Sequence, residues 1–171
     1  MFVSCDDTQY AHIEIEGYGT IVVELDREQA PITVDNFVKL ANEGFYNGLT
    51  FHRIMEGFMM QGGCPKGDGT GDSGTDIKGE FASNGVNNTI SHKRGVISMA
   101  RNSYSYDSAS SQFFIVHQDS EFLDGNYAAF GYVVSGMEIV DKICTEVKPT
   151  PNSNGSVPKA NQPKIKSITI H

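Results

Sequence analysis

Residues 51–63 read FHRIMEGFMMQGG, a stretch in which apolar residues are dense and glycines interrupt or end the runs. Short apolar runs bounded by glycine are typical of strands, so we predict two short strands with a bend at Gly57. Arg53 lies among the apolar residues of the first run. A buried arginine is uncommon without a partner, and the pattern leaves open a surface arginine or one paired with an acid such as Glu80.

Three further strands are predicted near the two ends of the chain. Residues 11–16 alternate between apolar and polar, residues 20–25 return as a second strand after a Gly-Tyr-Gly turn, and the pair predicts a β-hairpin. Residues 164–170 alternate cleanly and predict a strand that ends the chain. Continuous apolar runs predict three more strands, at 95–100, 112–116 and 128–134.

Two segments have a helical period instead. Apolar residues at positions 34, 37, 38 and 41 share one helix face, with Thr33 as the expected N-cap and Gly44 as the expected end. Ser135 and Glu138 form the spacing of a capping box, Ser-x-x-Glu, and predict the start of a second helix.

Composition and element order indicate one mainly β domain covering residues 1–171. Hydrophobic residues make up 39% of the 171 residues, enough for a sizeable core, and the 18 glycines favour a fold rich in tight turns. About eight short strands with helices only early and late argue against a parallel doubly wound sheet. They favour an antiparallel barrel or sandwich with helical plugs.

Charge and cysteine content exclude several function classes. The net charge is −8 and no run of Lys or Arg is present, so we expect no nucleic-acid partner. No apolar run approaches the ~18 residues of a membrane span. Cys5, Cys64 and Cys144 are far apart and odd in number, which favours a reducing compartment over a disulfide scaffold. The start, residues 1–7, turns acidic at once and does not resemble a signal peptide, so we expect a cytoplasmic protein.

No motif predicts a cofactor or a metal. Gly69-x-Gly71-x-x-Gly74 matches a dinucleotide fingerprint in letters, but we expect neither a strand before it nor a helix after it. The histidines show no metal-ligand spacing. Ser73 lies in a Gly-Asp-Ser-Gly segment similar to the nucleophile loop of serine proteases, and a hydrolase using Ser73 is one rival function.

Several strands carry residues that would line one patch on a barrel, although ordinary core packing explains the same pattern. These residues are Phe58, Met59, Gln61, Gln112, Phe114, Phe122, Leu123 and Tyr127.

The same stretches resemble the cyclophilin family. Residues 51–63 match the signature FHRxxxGFMxQGG, and the segments at 69–71, 98–100, 111–115, 122–125 and 130–133 follow in the order found in that family. The resemblance runs from about residue 12 to residue 170. The Ala100-Arg101 step and residues 108–111 resemble the bacterial branch.

The resemblance implies a closed eight-stranded antiparallel β-barrel capped by two α-helices. It implies a peptidyl-prolyl cis/trans isomerase that acts on proline-containing polypeptides, assists protein folding, uses no cofactor or metal, and works as a monomer. Arg53 would be the catalytic arginine, with Gln61 orienting Arg53 or the substrate carbonyl. The substrate-binding residues would be Phe58, Met59, Ala100, Asn102, Gln112, Phe114, Phe122, Leu123 and Tyr127.

Two positions depart from the commonest cyclophilin pattern. Phe122 stands where many members have Trp, and Tyr127 stands where many have His. Phe lacks the indole N–H donor, so we expect weakened binding of cyclosporin-type inhibitors but retained catalysis. The residues alone also leave open a proline-peptide binding module or holdase whose catalysis is incidental.

Overall fold

The computed structural model describes residues 7–171; residues 1–6, which include Cys5 and most of the start that argued against a leader, lie outside this range. Three 3₁₀ turns accompany the main elements, at Ala82–Asn84, Glu121–Leu123 and Lys159–Asn161. The main elements in chain order are β1 (Gln9–Ile15), β2 (Gly19–Leu25), α1 (Pro31–Asn42), β3 (Thr50–Met55), β4 (Met59–Cys64), β5 (Val96–Met99), β6 (Phe113–Val116), β7 (Ala129–Ser135), α2 (Met137–Glu146) and β8 (Ile165–Ile170).

The quoted stretch forms the hairpin β3–β4, as predicted. Ile54 pairs with Met60 and Met55 pairs with Met59 across the antiparallel ladder. Gly57 turns the chain with φ +79, a left-handed conformation that glycine adopts without steric cost. The predicted hairpin β1–β2 and the predicted last strand, β8, are confirmed as well.

The eight strands of residues 7–171 form one antiparallel sheet in the order β3-β4-β6-β5-β7-β2-β1-β8. The sheet curls without closing, so the prediction of a closed barrel is wrong. The edges that carry β3 and β8 are joined over a short stretch, by a bridge between Thr50 and Lys164 and by flanking backbone hydrogen bonds from Phe51 N–H to Pro163 O at 3.0 Å and from Ile165 N–H to Leu49 O at 2.7 Å.

An irregular segment covers the rest of the β3 edge. The Ile54 N–H donates to the Gly155 carbonyl at 2.8 Å, and Arg53 forms an isolated bridge with Ser156. Pro163, directly before the bridge to β8, has no N–H with which to extend a ladder. The gap between the two sheet edges is therefore filled by residues 147–164, the segment between α2 and β8. We call this segment the seam loop; it contacts the backbone of Arg53.

Helix α1 is capped in a way that the sequence pattern did not predict. Its N-cap is Ala30, whose side chain cannot accept a capping hydrogen bond, so the expectation that Thr33 is the N-cap is wrong. Thr33 lies inside the first turn, where its N–H and Oγ donate to the carboxylate of Glu80 at 2.6 and 2.7 Å. Glu80 is 3% exposed, so a buried acid from a distant loop satisfies a helix donor that would otherwise lack a partner.

The other helix boundaries give one confirmation and one correction. Helix α1 ends before Gly44, which has φ +74, as predicted. The capping box is wrong, because Ser135 ends β7 and Gly136 is the N-cap of α2, with no side-chain cap. A Cβ at Gly136 would lie 2.6 Å from the Thr20 carbonyl oxygen, so the chain here approaches β2 too closely for any side chain.

Consecutive residues of β6 project to opposite faces of the sheet and so divide the apolar residues into two clusters. Phe113 packs edge-on against Phe37, Tyr46 and Phe51 in the main core, at ring centroid distances of 5.6, 5.5 and 5.9 Å. Phe114 belongs to a smaller second cluster, formed with Met59, Ile90, Val96, Val116, Leu123 and Ala129.

Replacing Glu80 with alanine is expected to lower the free energy of unfolding by about 1–3 kcal/mol, because the donors of Thr33 lose a buried acceptor. Urea denaturation measures the change. Glu16→Ala, which removes the same charge from an exposed turn residue, serves as the control. Equal stability of the two variants would contradict the capping role of Glu80.

Candidate active site

Four hydrogen-bonded strands place the predicted site residues Arg53, Gln61 and Phe114 in one row with Ser98. Arg53 of β3 lies opposite Gln61 of β4, Gln61 lies opposite Phe114 of β6, and Phe114 lies opposite Ser98 of β5. Directly opposed residues on neighbouring strands project to the same face, so the sheet register itself brings the arginine, the glutamine and the aromatic ring together.

An apolar cavity of about 160 Å³ opens beside this row. Phe114 and Tyr127 pack edge-on in its wall, with ring centroids 6.0 Å apart. The residues lining the apolar cavity are Arg53, Phe58, Met59, Gln61, Ala100, Arg101, Phe114, Leu123 and Tyr127.

The seam loop holds the Arg53 guanidinium from one side. Nε donates to the carbonyl oxygen of Asn154 at 2.8 Å, and Nη2 donates to the side-chain Oδ1 of the same residue at 3.3 Å. Asn154 adopts φ +57, which asparagine tolerates better than most residues. Gly155 follows with φ +89, and a Cβ there would lie 2.5 Å from Cγ of Met55. The Asn-Gly pair is thus what lets the loop approach Arg53 so closely.

The remaining contacts of Arg53 leave one donor available. Nη1 donates to Oε1 of Gln61 at 3.3 Å, and Nη2 also approaches Sδ of Met55 at 3.5 Å. A guanidinium has five N–H groups, so one N–H of Nη1 has no partner among the described residues. No ion pair in residues 7–171 includes Arg53. Burial lowers the pKa of Arg53, an effect that the nearby Tyr127 phenol opposes, and an arginine stays charged under such shifts.

Two glutamines continue the hydrogen-bond chain away from the arginine. Nε2 of Gln61 donates to Oε1 of Gln112 at 3.0 Å, and Nε2 of Gln112 donates to the carbonyl oxygens of Gly69 and Gly71 at 2.9 and 2.8 Å. Each amide is oriented by its neighbour, so Gln61 presents its oxygen, not its NH₂ group, to Arg53.

A polar pocket of about 120 Å³ adjoins the apolar cavity and shares Gln61, Ala100 and Arg101 with it. Asn102 lies in this polar pocket; its N–H donates to Oγ of Ser108 at 2.8 Å. The remaining residues that line the polar pocket are Gly69, Thr70, Gly71, Asp72, Ser108, Ser110, Ser111 and Gln112.

A buried histidine supports the aromatic wall of the apolar cavity. His92 is 0% exposed, and its ring stacks on Phe114 with a centroid distance of 5.9 Å and an interplanar angle of 18°. Nδ1 lies 2.9 Å from Oδ1 of Asp124, and Nε2 lies 2.9 Å from Oγ of Ser98. A carboxylate only accepts, so Nδ1 carries the proton of the neutral ring and Nε2 accepts from the serine hydroxyl.

The electrostatics of this group favour a neutral ring and an ionised acid. Burial lowers the pKa of His92, and the hydrogen bond and charge of Asp124 oppose that effect. Burial raises the pKa of Asp124, but hydrogen bonds from Ser91 and from the backbone and ring of His92 outweigh it and leave the pKa below its ordinary value.

A sequence model of the cyclophilin type peptidyl-prolyl cis-trans isomerase/CLD family matches residues 10–170. This chain belongs to the cyclophilin-type isomerase family.

Two bacterial relatives confirm the predicted resemblance to the bacterial branch of the family. A peptidyl-prolyl cis-trans isomerase of Helicobacter pylori is 49% identical over 138 residues, 80% of this chain and 80% of the relative. Peptidyl-prolyl cis-trans isomerase B of Bacillus subtilis is 46% identical over 145 residues, 85% of this chain and 91% of the relative.

A solved cyclophilin has the same architecture. The crystal structure of a Cryptosporidium parvum cyclophilin type peptidyl-prolyl cis-trans isomerase, determined in the presence of the dipeptide Ala-Pro, superposes with a TM-score of 0.82 at 29% identity. The superposition covers 95% of this chain and 98% of the Cryptosporidium parvum chain.

Within this cyclophilin, the structure separates the predicted site residues into three groups. The apolar cavity brings together Arg53, Gln61, Phe58, Met59, Ala100, Phe114, Leu123 and Tyr127, whereas Asn102 and Gln112 line only the polar pocket. Phe122 lines neither cavity; its ring is 73% exposed and packs on Phe58 at a centroid distance of 5.5 Å.

Sequence reasoning missed three residues at this cyclophilin site. Asn154, in an Asn-Gly-Ser segment, holds Arg53 from a sequence distance of 101 residues. Arg101 lines both cavities, and the ring of His92 stacks on that of Phe114. The Asn-Gly pair is a turn signal that could have drawn attention to Asn154, whereas no local pattern points to His92.

The rival motifs have other structural roles. Oγ of Ser73 lies 2.6 Å from Oγ of Ser110, and its hydrogen bonds within the described chain include no histidine. The Gly-rich segment at 69–74 follows β4, contrary to expectation, but leads into an irregular loop and not into an α-helix. Helices of the described chain are all too short or too polar to cross a membrane.

Stability is expected to fall as the pH drops below about 6.5, the ordinary pKa of histidine in an unfolded chain. Burial lowers the pKa of His92 and of His52, so over this range the unfolded chain binds more protons than the folded chain. The contribution is complete above the unfolded pKa and is lost as the pH falls through the folded pKa. Urea unfolding at pH 8, 7, 6 and 5 measures it.

His92→Gln is expected to flatten this pH dependence, with His12→Gln, at a half-buried position of β1, as the control. The slope against pH is the readout, since the buried substitution lowers stability at every pH. Parallel curves for the wild type and His92→Gln would show that His92 does not contribute.

Proposed function

We propose that the chain catalyses cis-trans isomerisation of the peptide bond before proline in polypeptides, with Arg53 as the catalytic residue. The observation that carries the proposal is a half-buried guanidinium, at the rim of an apolar cavity, with one N–H that has no partner among residues 7–171. A relative of this chain was crystallised in the presence of Ala-Pro, which supports a proline peptide as the ligand.

Isomerisation of a peptide bond requires little of an enzyme beyond positioning the substrate. Rotation about a peptide bond costs ~18–20 kcal/mol because of its partial double-bond character, so an X-Pro bond isomerises in tens to hundreds of seconds without help. No bond breaks, so the reaction needs neither a nucleophile nor a metal. An enzyme accelerates it by binding the twisted amide more tightly than either planar form.

Arg53 meets that requirement through the free N–H of Nη1. When the amide twists, its nitrogen regains a lone pair and accepts a hydrogen bond that the planar amide accepts poorly. The guanidinium is fixed by Asn154 and Gln61 before substrate arrives, so little reorganisation is needed as the twist develops. No acid among residues 7–171 forms an ion pair with it, and the apolar surroundings strengthen its interaction with the lone pair.

The cavities assign roles to the remaining residues. Phe58, Met59, Phe114 and Leu123 grip the proline ring, and Tyr127 closes the wall, while Gln61 orients the guanidinium. The residue before proline lies toward the polar pocket, past Ala100 and Asn102. The Asn102 carbonyl accepts from Nη1 of Arg101 at 2.9 Å and lies 3.4 Å from Oγ of Ser108. The single hydroxyl proton of Ser108 is better placed on the Ser105 carbonyl, at 2.8 Å, which leaves the second lone pair of the Asn102 carbonyl to a substrate N–H.

A binding module or holdase with incidental catalysis is the alternative, since the apolar cavity would bind a proline ring in either case. The fixed orientation of Arg53 favours the enzyme, because a binding site gains nothing from a free donor aimed at a twisted amide. A wild-type protein that binds proline peptides without accelerating their isomerisation would favour the module.

We further propose that the protein works as a single-domain monomer in the cytoplasm and assists protein folding. Cys64 and Cys144 are free and buried, which suits a reducing compartment.

Arg53→Ala is expected to lower kcat/KM for a short prolyl peptide at least about 100-fold, the usual cost of removing a donor that acts in the transition state. A protease-coupled isomerisation assay measures the rate, and circular dichroism checks the fold. Arg27→Ala, at an arginine that pairs with Asp35 and lines neither cavity, is the control.

Near wild-type turnover in Arg53→Ala with an intact spectrum would remove Arg53 from the mechanism. A loss of activity in Arg27→Ala as large as that in Arg53→Ala would point to a general effect of surface charge instead.

Phe122→Trp is expected to bind cyclosporin up to about tenfold more tightly than the wild type. Phe122 is exposed beside the apolar cavity and can offer an inhibitor only its ring, whereas an indole adds one N–H donor. Calorimetric titration of both proteins measures the affinities, with isomerase activity expected in both. Equal affinities would refute the role assigned to this position.

A further inference from the structure

Arg101 lies between the two cavities and contributes to the lining of both. It follows Ala100 directly after β5, so its backbone belongs to the loop that closes the polar pocket. Its side chain turns back over the site, where Nε donates to the carbonyl oxygen of Asn126 at 2.9 Å and Nη1 donates to the carbonyl oxygen of Asn102 at 2.9 Å.

Three aromatic rings surround the guanidinium. The central carbon of Arg101 lies 5.3 Å from the ring centroid of Phe81, 5.2 Å from that of Tyr106 and 4.8 Å from that of Tyr127. Cation–π contacts at these distances hold the charge in place without neutralising it. The side chain is therefore positioned before any ligand binds.

The guanidinium has donors to spare and no acidic partner. Two of its five N–H groups are used, so three have no acceptor among the described residues. No ion pair of residues 7–171 includes Arg101. Acidic residues outnumber basic ones in this chain, which has a net charge of −8, yet none of those in residues 7–171 pairs with Arg101.

The other charges at the cavities do not cancel it. Arg53, in the wall of the apolar cavity, has the same sign. Asp72 is the one acid that lines either cavity, and its Oδ1 accepts from the Gly74 N–H at 2.7 Å, so it faces its own loop.

We propose that Arg101 is a specificity-determining residue that selects substrates with an acidic side chain on the amino-terminal side of the proline. The proposal rests on the proposed isomerase function. A peptide whose proline fills the apolar cavity passes Ala100 toward the polar pocket, and a carboxylate there meets the free N–H groups of Arg101. Arginine is suited to this contact because its planar donors match a carboxylate in pairs.

The test measures kcat/KM for peptides that differ only in charge. One set carries Glu, Gln or Lys two residues before proline, and a second set carries the same three directly before it. In at least one of the two sets, the kcat/KM of the wild type is expected to be about tenfold higher for the Glu peptide than for the Gln peptide, as a charge-assisted hydrogen bond allows. The kcat/KM for the Lys peptide of that set is expected to be the lowest of the three.

The enzyme variants separate selectivity from support of the fold. The Glu-to-Gln ratio is expected to approach 1 in Arg101→Gln, to be partly kept in Arg101→Lys and to be unchanged in Lys39→Gln. Lys39→Gln makes the same change in net charge at an exposed position of α1 that lines neither cavity. Thermal unfolding followed by circular dichroism confirms that each variant is folded.

Two results would overturn the proposal. One is a wild-type ratio near 1 in both peptide sets. The other is an unchanged ratio in Arg101→Gln, even if turnover of all three peptides falls, since that would assign Arg101 to support of the loop alone. If no peptide is isomerised, the proposed function itself fails, and calorimetric affinities for the same peptides still decide the role of Arg101.

Discussion

A half-buried positive charge with no counter-ion among residues 7–171 is the constraint around which the site is built. Every acceptor that holds Arg53 is uncharged: the carbonyl and amide oxygens of Asn154 and the amide oxygen of Gln61. A carboxylate in any of these positions would satisfy the guanidinium more strongly, but it would neutralise the charge and bind the remaining donor. Neutral acceptors fix the direction of the side chain and leave its field directed at the apolar cavity.

The open seam of the sheet makes this arrangement possible. If β3 and β8 continued to pair beyond the bridge at Thr50, the regular ladder would occupy the edge of β3. The seam loop pairs there instead, and left-handed backbone at Asn154 and Gly155 brings two oxygens of one residue onto the guanidinium. An irregular segment can aim an acceptor sideways in a way that a strand cannot, because a strand directs its carbonyls along the ladder.

Strand β6 links the fold to the site. Phe113 packs into the main core and the neighbouring Phe114 forms the wall of the apolar cavity, so the strand cannot shift without disturbing both. The ring of His92 stacks on Phe114, and both of its nitrogens have hydrogen-bond partners within the protein, Asp124 and Ser98. A fully satisfied buried network of this kind favours one arrangement of the ring it supports.

Local sequence pattern was enough to predict the strands β1, β2 and β8, the hairpin of residues 51–63, and the apolar face and end of α1. Each of these depends on a period of two or 3.6 residues or on a local glycine, which a single segment contains in full. Resemblance to a known family added the roles of Arg53 and Gln61, which the pattern alone could not assign.

Contacts between distant segments could be read from the three-dimensional fold alone. Pattern reasoning offered Glu80 as a partner for Arg53, but Glu80 caps α1 through Thr33, 47 residues away, and Arg53 is held by Asn154, 101 residues away. The pattern left open a barrel or a sandwich and the resemblance implied a closed barrel, but Pro163 and the seam loop interrupt the pairing of β3 with β8. Such contacts depend on sheet register and on the path of loops, and no periodicity within one segment contains that information.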